Sequence, residues 1–286
     1  MPAAATNTLA DLLVHSAEGV LTLTLNRIEK KNSITTAMYG ALADALDSAA
    51  RDPAVRVVVI QGHAHIFSAG NDIGDFLAQS APQRDPSLTA GALPADPVAA
   101  FGEAVVRGDL PVYRFLTGIA SFPKPLIAAV CGPAVGIGTT MLFHCDLVYA
   151  GDNAAFSMPF VNLGLCPEAA SSLLVPQMMG YHRAAEALLL GEPFMAEAAM
   201  EVGLVNRIVP PTEANAVAQA QAKKLAAKPL ASLIETKRLM KKGQSALVLQ
   251  QLIEEGASFD RLMREPAAQA AFGKFMDKRK PELSPA

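Results

Sequence analysis

The chain has 286 residues, 51% of them hydrophobic and 18% charged, with a formal net charge of −3. This composition supplies a large buried core and excludes a disordered chain. The near balance of charge gives no basis for a nucleic-acid partner, and no apolar run of ~18 residues reads as a membrane span.

Met1 to Leu13 carries no Lys or Arg, which fits neither a secretory nor a transit signal. The final Leu283-Ser284-Pro285-Ala286 is not a peroxisomal address, so a cytoplasmic location is expected. Cys131, Cys145 and Cys166 show no metal-ligand spacing, and the five histidines form no i, i+4 pair. Buried thiols and no metal site are expected.

Val20 to Leu25 alternates as a half-buried strand, followed by a polar loop from Asn26 and Arg27 through Lys30, Lys31 and Asn32. Thr35 or Thr36 caps a helix whose Met38, Leu42 and Leu46 share one face. Val55 to Gln61 reads as a buried strand. Residues 78–97, rich in Ala, Pro, Asp and Gly, read as a surface loop. A helical stretch from about Val98 is interrupted at Gly108 and Pro111 and ends at Phe122-Pro123-Lys124-Pro125. Leu126 to Val130 is the next strand, and an apolar helix runs through Met141 and Leu142. Val148 to Ala150 and Ala155 to Ser157 are short strands. Pro167-Glu168 is expected to start a helix, and from about Glu197 the pattern is helical, broken over Gly203 to Pro211. The late stripes Leu249, Leu252, Ile253 and Phe259, Leu262, Met263 suit either self-association or packing onto the core.

Two glycine turns follow the buried strands: Phe67-Ser68-Ala69-Gly70-Asn71-Asp72 and Gly132-Pro133-Ala134-Val135-Gly136-Ile137-Gly138. Such turns leave backbone N–H groups unpaired. Two of them aimed at one point stabilise charge on a carbonyl oxygen, so the pattern points to enolate chemistry.

Taken with Asn26-Arg27, Pro123-Lys124-Pro125-Leu126-Ile127-Ala128, Cys145-Asp146-Leu147-Val148-Tyr149-Ala150 and Lys278-Arg279-Lys280-Pro281, these turns resemble the crotonase, or enoyl-CoA hydratase/isomerase, superfamily. The resemblance implies an α/β fold: a crotonase-type spiral of ββα turns with two roughly perpendicular sheets. A C-terminal helical trimerisation region follows it. It further implies a core over 1–205 that binds acyl-CoA and an oligomerising region over 206–286 that covers the acyl site. Homotrimers or hexamers, acyl-CoA thioester substrates, no metal and no separate cofactor are expected, coenzyme A being part of the substrate. Carried over, the two donors are the N–H groups of Asn71 and Ile137. Ala69, Gly70, Ile73, Lys30, Gly136 and Phe160 are expected substrate contacts.

The sequence departs from the hydratases of this superfamily at both of their glutamates, where it has Thr140 and Phe160. A carboxylate stands instead in Pro167-Glu168-Ala169-Ala170-Ser171-Ser172. That segment resembles the peroxisomal-type Δ3,Δ2-enoyl-CoA isomerases, whose Pro-Glu glutamate is the single base, although Ala169 and Ala170 replace frequent glycines. Glu168 is the expected base for moving a double bond into conjugation. Asp72 and Asp146 read as structural and the histidines His63, His65 and His144 as structural or surface residues, while Arg27, Lys30 and Lys31 read as phosphate contacts implied by the resemblance, Arg27 less so than Lys30. The competing expectations are hydratase-like or other enolate chemistry on CoA esters, and an acyl-CoA-binding protein without catalysis.

Overall fold

The computed structural model describes residues 10–75, 96–108 and 110–278. The loop expected over 78–97 and the closing Lys278 to Pro281 motif lie largely outside them.

The main sheet has six strands in the order β1-β2-β3-β4-β6-β9: Leu12–Ala17, Val20–Leu25, Val57–Gln61, Leu126–Val130, Leu147–Gly151 and Arg207–Val209. Only the β1–β2 pair is antiparallel. A second sheet joins β5 (Pro133–Val135), β7 (Ala155–Ser157) and β8 (Phe194–Met195). Val57–Ile60 of β3 and all of β4 are apolar runs because both faces are covered, as parallel sheets require. One face packs on helix α1 (Thr36–Arg51), and helices α2 (Pro97–Arg107) and α3 (Pro111–Ser121) follow on that side of the chain. The Thr35 hydroxyl caps α1 through the Met38 N–H at 3.3 Å, and Met38, Leu42 and Leu46 are buried as the spacing predicts. Lys124, buried, donates to the Ala49, Asp52 and Val55 carbonyls where α1 ends, satisfying acceptors that a helix terminus leaves open.

Short helix α4 (Ile137–Thr140) leaves the second glycine turn, and α5 (Ser171–Met179) follows the Glu168 segment. The expected helix start at Pro167-Glu168 is corrected here. Ala169 and Ala170 have φ of 63° and 55°, a left-handed conformation that cannot continue into an α-helix, so Glu168 sits in a turn. Helices α6 (Tyr181–Ala185) and α7 (Ala196–Glu201) precede β9. This last strand lies inside the stretch read only as a break in helical pattern. Its three residues are too few to carry an alternation, and pairing with β6 makes it a strand.

Helix α8 (Ala214–Ala226) closes the other sheet face, its Ala218 and Ala222 lying against Val57, Val59, Ile127 and Ala129. Helices α9 (Leu230–Lys241), α10 (Ser245–Met263) and α11 (Pro266–Lys278) end the described chain. Lys237 of α9 pairs with Asp146 at 2.7 Å, and Asp146 also accepts from the Leu126 N–H, the structural role its loop position suggested. Helix α10 reaches back to α2, α3 and α5, which brings C-terminal residues to the ends of the early strands. Among the described residues, no helix is long and apolar enough to cross a membrane.

Candidate active site

The two glycine turns lie side by side because their backbones are hydrogen-bonded to each other. Ser68 and Ala134 form a parallel bridge. Phe67 and Ser68 donate to the Pro133 carbonyl, and the Val135 N–H donates to the Ser68 carbonyl at 2.9 Å. Asn71 and Ile137 each stand three residues beyond the bridge, so equal offsets carry them to the same place. Their neighbours are satisfied. Gly70 N–H donates to the Ser68 hydroxyl, Asp72 N–H to the Ile34 carbonyl, and Gly136 N–H to the Ser157 carbonyl. The Asn71 and Ile137 N–H groups find no acceptor among the described residues. Two unpaired N–H groups at matched positions form a candidate site for an acceptor.

A cavity of about 240 Å³ opens at this place. Ala69, Gly70, Asn71 and Ile73 line it from the first turn, Gly136 and Ile137 from the second, and Phe160 from the loop after β7. Phe259 of α10 and Phe272 of α11 complete it. Seven of the nine residues expected from the sequence line one cavity, and Glu168 is buried and not part of its lining. Leu165, three residues before Glu168, is part of the lining. Lys30, the ninth, is exposed on the turn Ile28–Lys30 and does not line the cavity.

The Glu168 turn is strained and tied down. A left-handed alanine costs roughly 1–2 kcal/mol, and Ala169 and Ala170 adopt that conformation consecutively. Surrounding bonds hold it. The Ser171 N–H donates to the Glu168 carbonyl at 3.1 Å, and His144 Nε2 lies 2.8 Å from the Ala169 carbonyl. Burial lowers the His144 pKa to about 4, so its ring is neutral, and the carbonyl partner requires the proton on Nε2. Ala170 N–H and Ser172 N–H donate to the two oxygens of Glu255, at 2.6 and 2.8 Å.

Glu168 itself is 6% exposed, and its Oε1 has no hydrogen-bond partner among the described residues. Burial, then the nearby Glu255 carboxyl, raises its pKa to about 8. Strongly displaced buried carboxyls mark candidate acid–base groups. Two tyrosines face it. Burial, then the Glu168 charge, raises the pKa of Tyr39 and of Tyr113 well above the ordinary value. The Tyr39 hydroxyl also donates to Asn71 Oδ1, which joins the first turn to the Glu168 side of the cavity.

Residues 15–93 and 106–285 match the family described as enoyl-CoA hydratase/isomerase. The chain belongs to the enoyl-CoA hydratase/isomerase family. Its crotonase fold is shared with the Pseudomonas aeruginosa OdaA structure, at a TM-score of 0.82 and 43% identity, over 93% of this chain and 98% of that one. It is 36% identical to rat enoyl-CoA delta isomerase 2 over 82% of its own length, and spans about half (55%) of that relative. It is 32% identical to Escherichia coli 1,2-epoxyphenylacetyl-CoA isomerase, over 96% of this chain and 98% of that one.

Within the family site, several residues are structural. Arg27 pairs with Asp72 at 2.7 Å and bonds Ser33, and Asp72 accepts from the Gly74 and Asp75 N–H groups, so both are spent on the turn. Thr140 is fully buried, with an unpartnered hydroxyl. Sequence reasoning missed Tyr39, Tyr113 and Glu255. Glu255 had a signal: an acidic residue inside the apolar stripe formed by Leu252, Gly256 and Phe259.

Gly70 has φ of +87°, and a Cβ there would stand 2.8 Å from the Val135 carbonyl oxygen. Gly70→Ala is therefore expected to push the two turns apart. Displacement of this kind costs about 10²-fold in turnover. Steady-state kinetics on an acyl-CoA substrate checks it, and unchanged kcat would mean that the spacing of the turns does not matter.

Proposed function

We propose that this protein is a Δ3,Δ2-enoyl-CoA isomerase, moving the double bond of a 3-enoyl-CoA to the 2-trans position. The observation that carries this reading is the Glu168 carboxyl, buried and unpartnered at Oε1, with a pKa of about 8. In the proposed reaction the thioester carbonyl accepts from the Asn71 and Ile137 N–H groups, an oxyanion hole that acidifies carbon 2. Glu168 removes a proton from carbon 2, giving a dienolate, and returns it to carbon 4. One base suffices where it reaches both carbons. A pKa near the working pH suits a group that must take a proton and give it back.

Hydration needs a group to orient and activate water. The positions where hydratases carry glutamates hold Thr140 and Phe160, and the lining around Phe160 is apolar: Leu163, Leu165, Phe259 and Phe272. The match to the rat isomerase supports the same reading. A second reading, another enolate rearrangement of a CoA ester, is favoured by the match along nearly the whole length of the Escherichia coli 1,2-epoxyphenylacetyl-CoA isomerase.

Purified protein incubated with trans-3-hexenoyl-CoA is expected to form the conjugated 2-enoyl thioester, followed by its absorbance. Hydration of crotonyl-CoA in parallel is expected to be at least ~10²-fold slower, the scale of a missing acid–base group. Faster hydration than isomerisation would replace the isomerase reading, and silence with both substrates would move the search to other CoA esters.

A further inference from the structure

We propose that Glu255 is a positioning residue for Glu168: from helix α10 it clamps the left-handed turn and faces Glu168 with a second, fully hydrogen-bonded carboxylate. The proposal rests on Glu168 being the base of the proposed reaction.

The geometry separates the roles of the two buried carboxyls. Glu255 accepts from Ala170 N–H, Ser172 N–H and the Ser172 hydroxyl. Gln251, one turn earlier on α10, donates to that same hydroxyl at 2.9 Å, so the hydroxyl proton is left for Glu255. Burial raises the pKa of Glu255, and these donors act against that shift in favour of its charged form, while Glu168 Oε1 has no donor among the described residues. When two nearby carboxyls compete, the one with more donors keeps the charge and the other keeps the proton. Glu255 also supplies an acceptor to the start of α5, where Ala170 provides no side-chain cap. One side chain thus satisfies the turn, caps the helix and sets a negative charge near the base.

The tyrosine, cysteine and histidine side chains around the pair are neutral at pH 7. Burial first raises the Tyr39 hydroxyl of α1 and the Tyr113 hydroxyl of α3, and raises the Cys166 thiol to about 11. His144, against the Ala169 carbonyl, is neutral. Further along α10, Arg261 acts on Cys166 and Asp260 on Tyr113.

Glu255→Gln keeps the shape but offers one acceptor oxygen to two N–H donors and removes the charge. The titration of Glu168 is read without substrate, by NMR of protein labelled with δ-13C glutamate, its signal assigned as the one lost in Glu168→Gln. In Glu255→Gln the Glu168 midpoint is expected to fall by roughly half to one pH unit, as loss of a like charge requires while burial remains. The pH profile of kcat should shift with it. Maximal kcat should drop about 10-fold with KM little changed, because the turn loosens. An unchanged midpoint with kcat within twofold would overturn the proposal, even if the protein melted earlier. Should Glu255→Gln fail to fold, Ser172→Ala removes one donor and leaves both N–H groups. It is expected to move the Glu168 midpoint the same way by less, and no movement would overturn the proposal. Absence of wild-type turnover with an NMR midpoint that still responds would count against the isomerase reading and not against the coupling.

Discussion

Glu168→Gln is expected to lower kcat for double-bond migration by about 10³-fold, the middle of the range for a general base, with KM within a few-fold of wild type. Glutamine keeps the size and the dipole of the side chain but cannot take a proton. Because the carboxyl must be ionised to act, wild-type kcat/KM should rise with pH and reach half its maximum near pH 8, where Glu168 titrates. The same group links to stability with a definite sign. Its folded pKa lies above its ordinary value of 4.5, so the folded state holds the proton more tightly. Stability associated with that proton is complete below pH 4.5 and is lost as pH rises to about 8. The full loss is at most about 5 kcal/mol. Urea unfolding at pH 9 should therefore find Glu168→Gln more stable than wild type, and the gap should close towards pH 5. A kcat that survives the substitution would remove Glu168 as the base. A stability difference independent of pH would remove the raised pKa.

Gly132→Ala is expected to cost about 4 kcal/mol or to prevent folding, in the range of the most damaging single substitutions. Gly132 has φ of +63°, and an added Cβ would lie 2.0 Å from the His65 carbonyl oxygen and 2.5 Å from its carbon. Both obstacles are backbone, which cannot swing aside as a side chain would. The next residue, Pro133, supplies the carbonyl that accepts both Phe67 and Ser68 N–H groups. Relief of the clash therefore separates the two turns. Gly243→Ala, where nothing lies within 4 Å, serves as the control and should change stability by no more than about 0.5 kcal/mol. Equal thermal midpoints for the two variants would show that the 131–134 segment yields more readily than its contacts indicate.

The parts of this site that reside in the backbone pattern were legible in the sequence. The strand before each turn is an apolar run, the glycines mark positive φ, and matched order places Asn71 and Ile137 at one cavity. Glu168 was legible through its motif, but its setting was not. The Pro-Glu pair reads as the start of a helix, whereas His144 and Glu255, 24 residues before and 87 residues after it, hold a turn there. Long-range hydrogen bonds of that kind leave no periodic trace. Tyr39 reads as one more residue of an amphipathic helix, and only the folded chain brings its hydroxyl to Asn71. Lys30, expected from the resemblance to meet phosphate, stands exposed on the turn Ile28–Lys30, outside the cavity lining.

The bridge between Ser68 and Ala134 has a consequence for how such a protein can change. Paired strands stand about 4.8 Å apart whatever their side chains, so the two unpaired N–H groups inherit their separation from the ladder rather than from residues 71 and 137. Glu168 arrives on a different segment, held by His144 and Glu255. In the proposed reaction, binding of the carbonyl and transfer of the proton are thus carried by separate stretches of chain, and the 165–172 segment with its clamp on α10 is the part whose exchange would alter the reaction while leaving the paired turns in place.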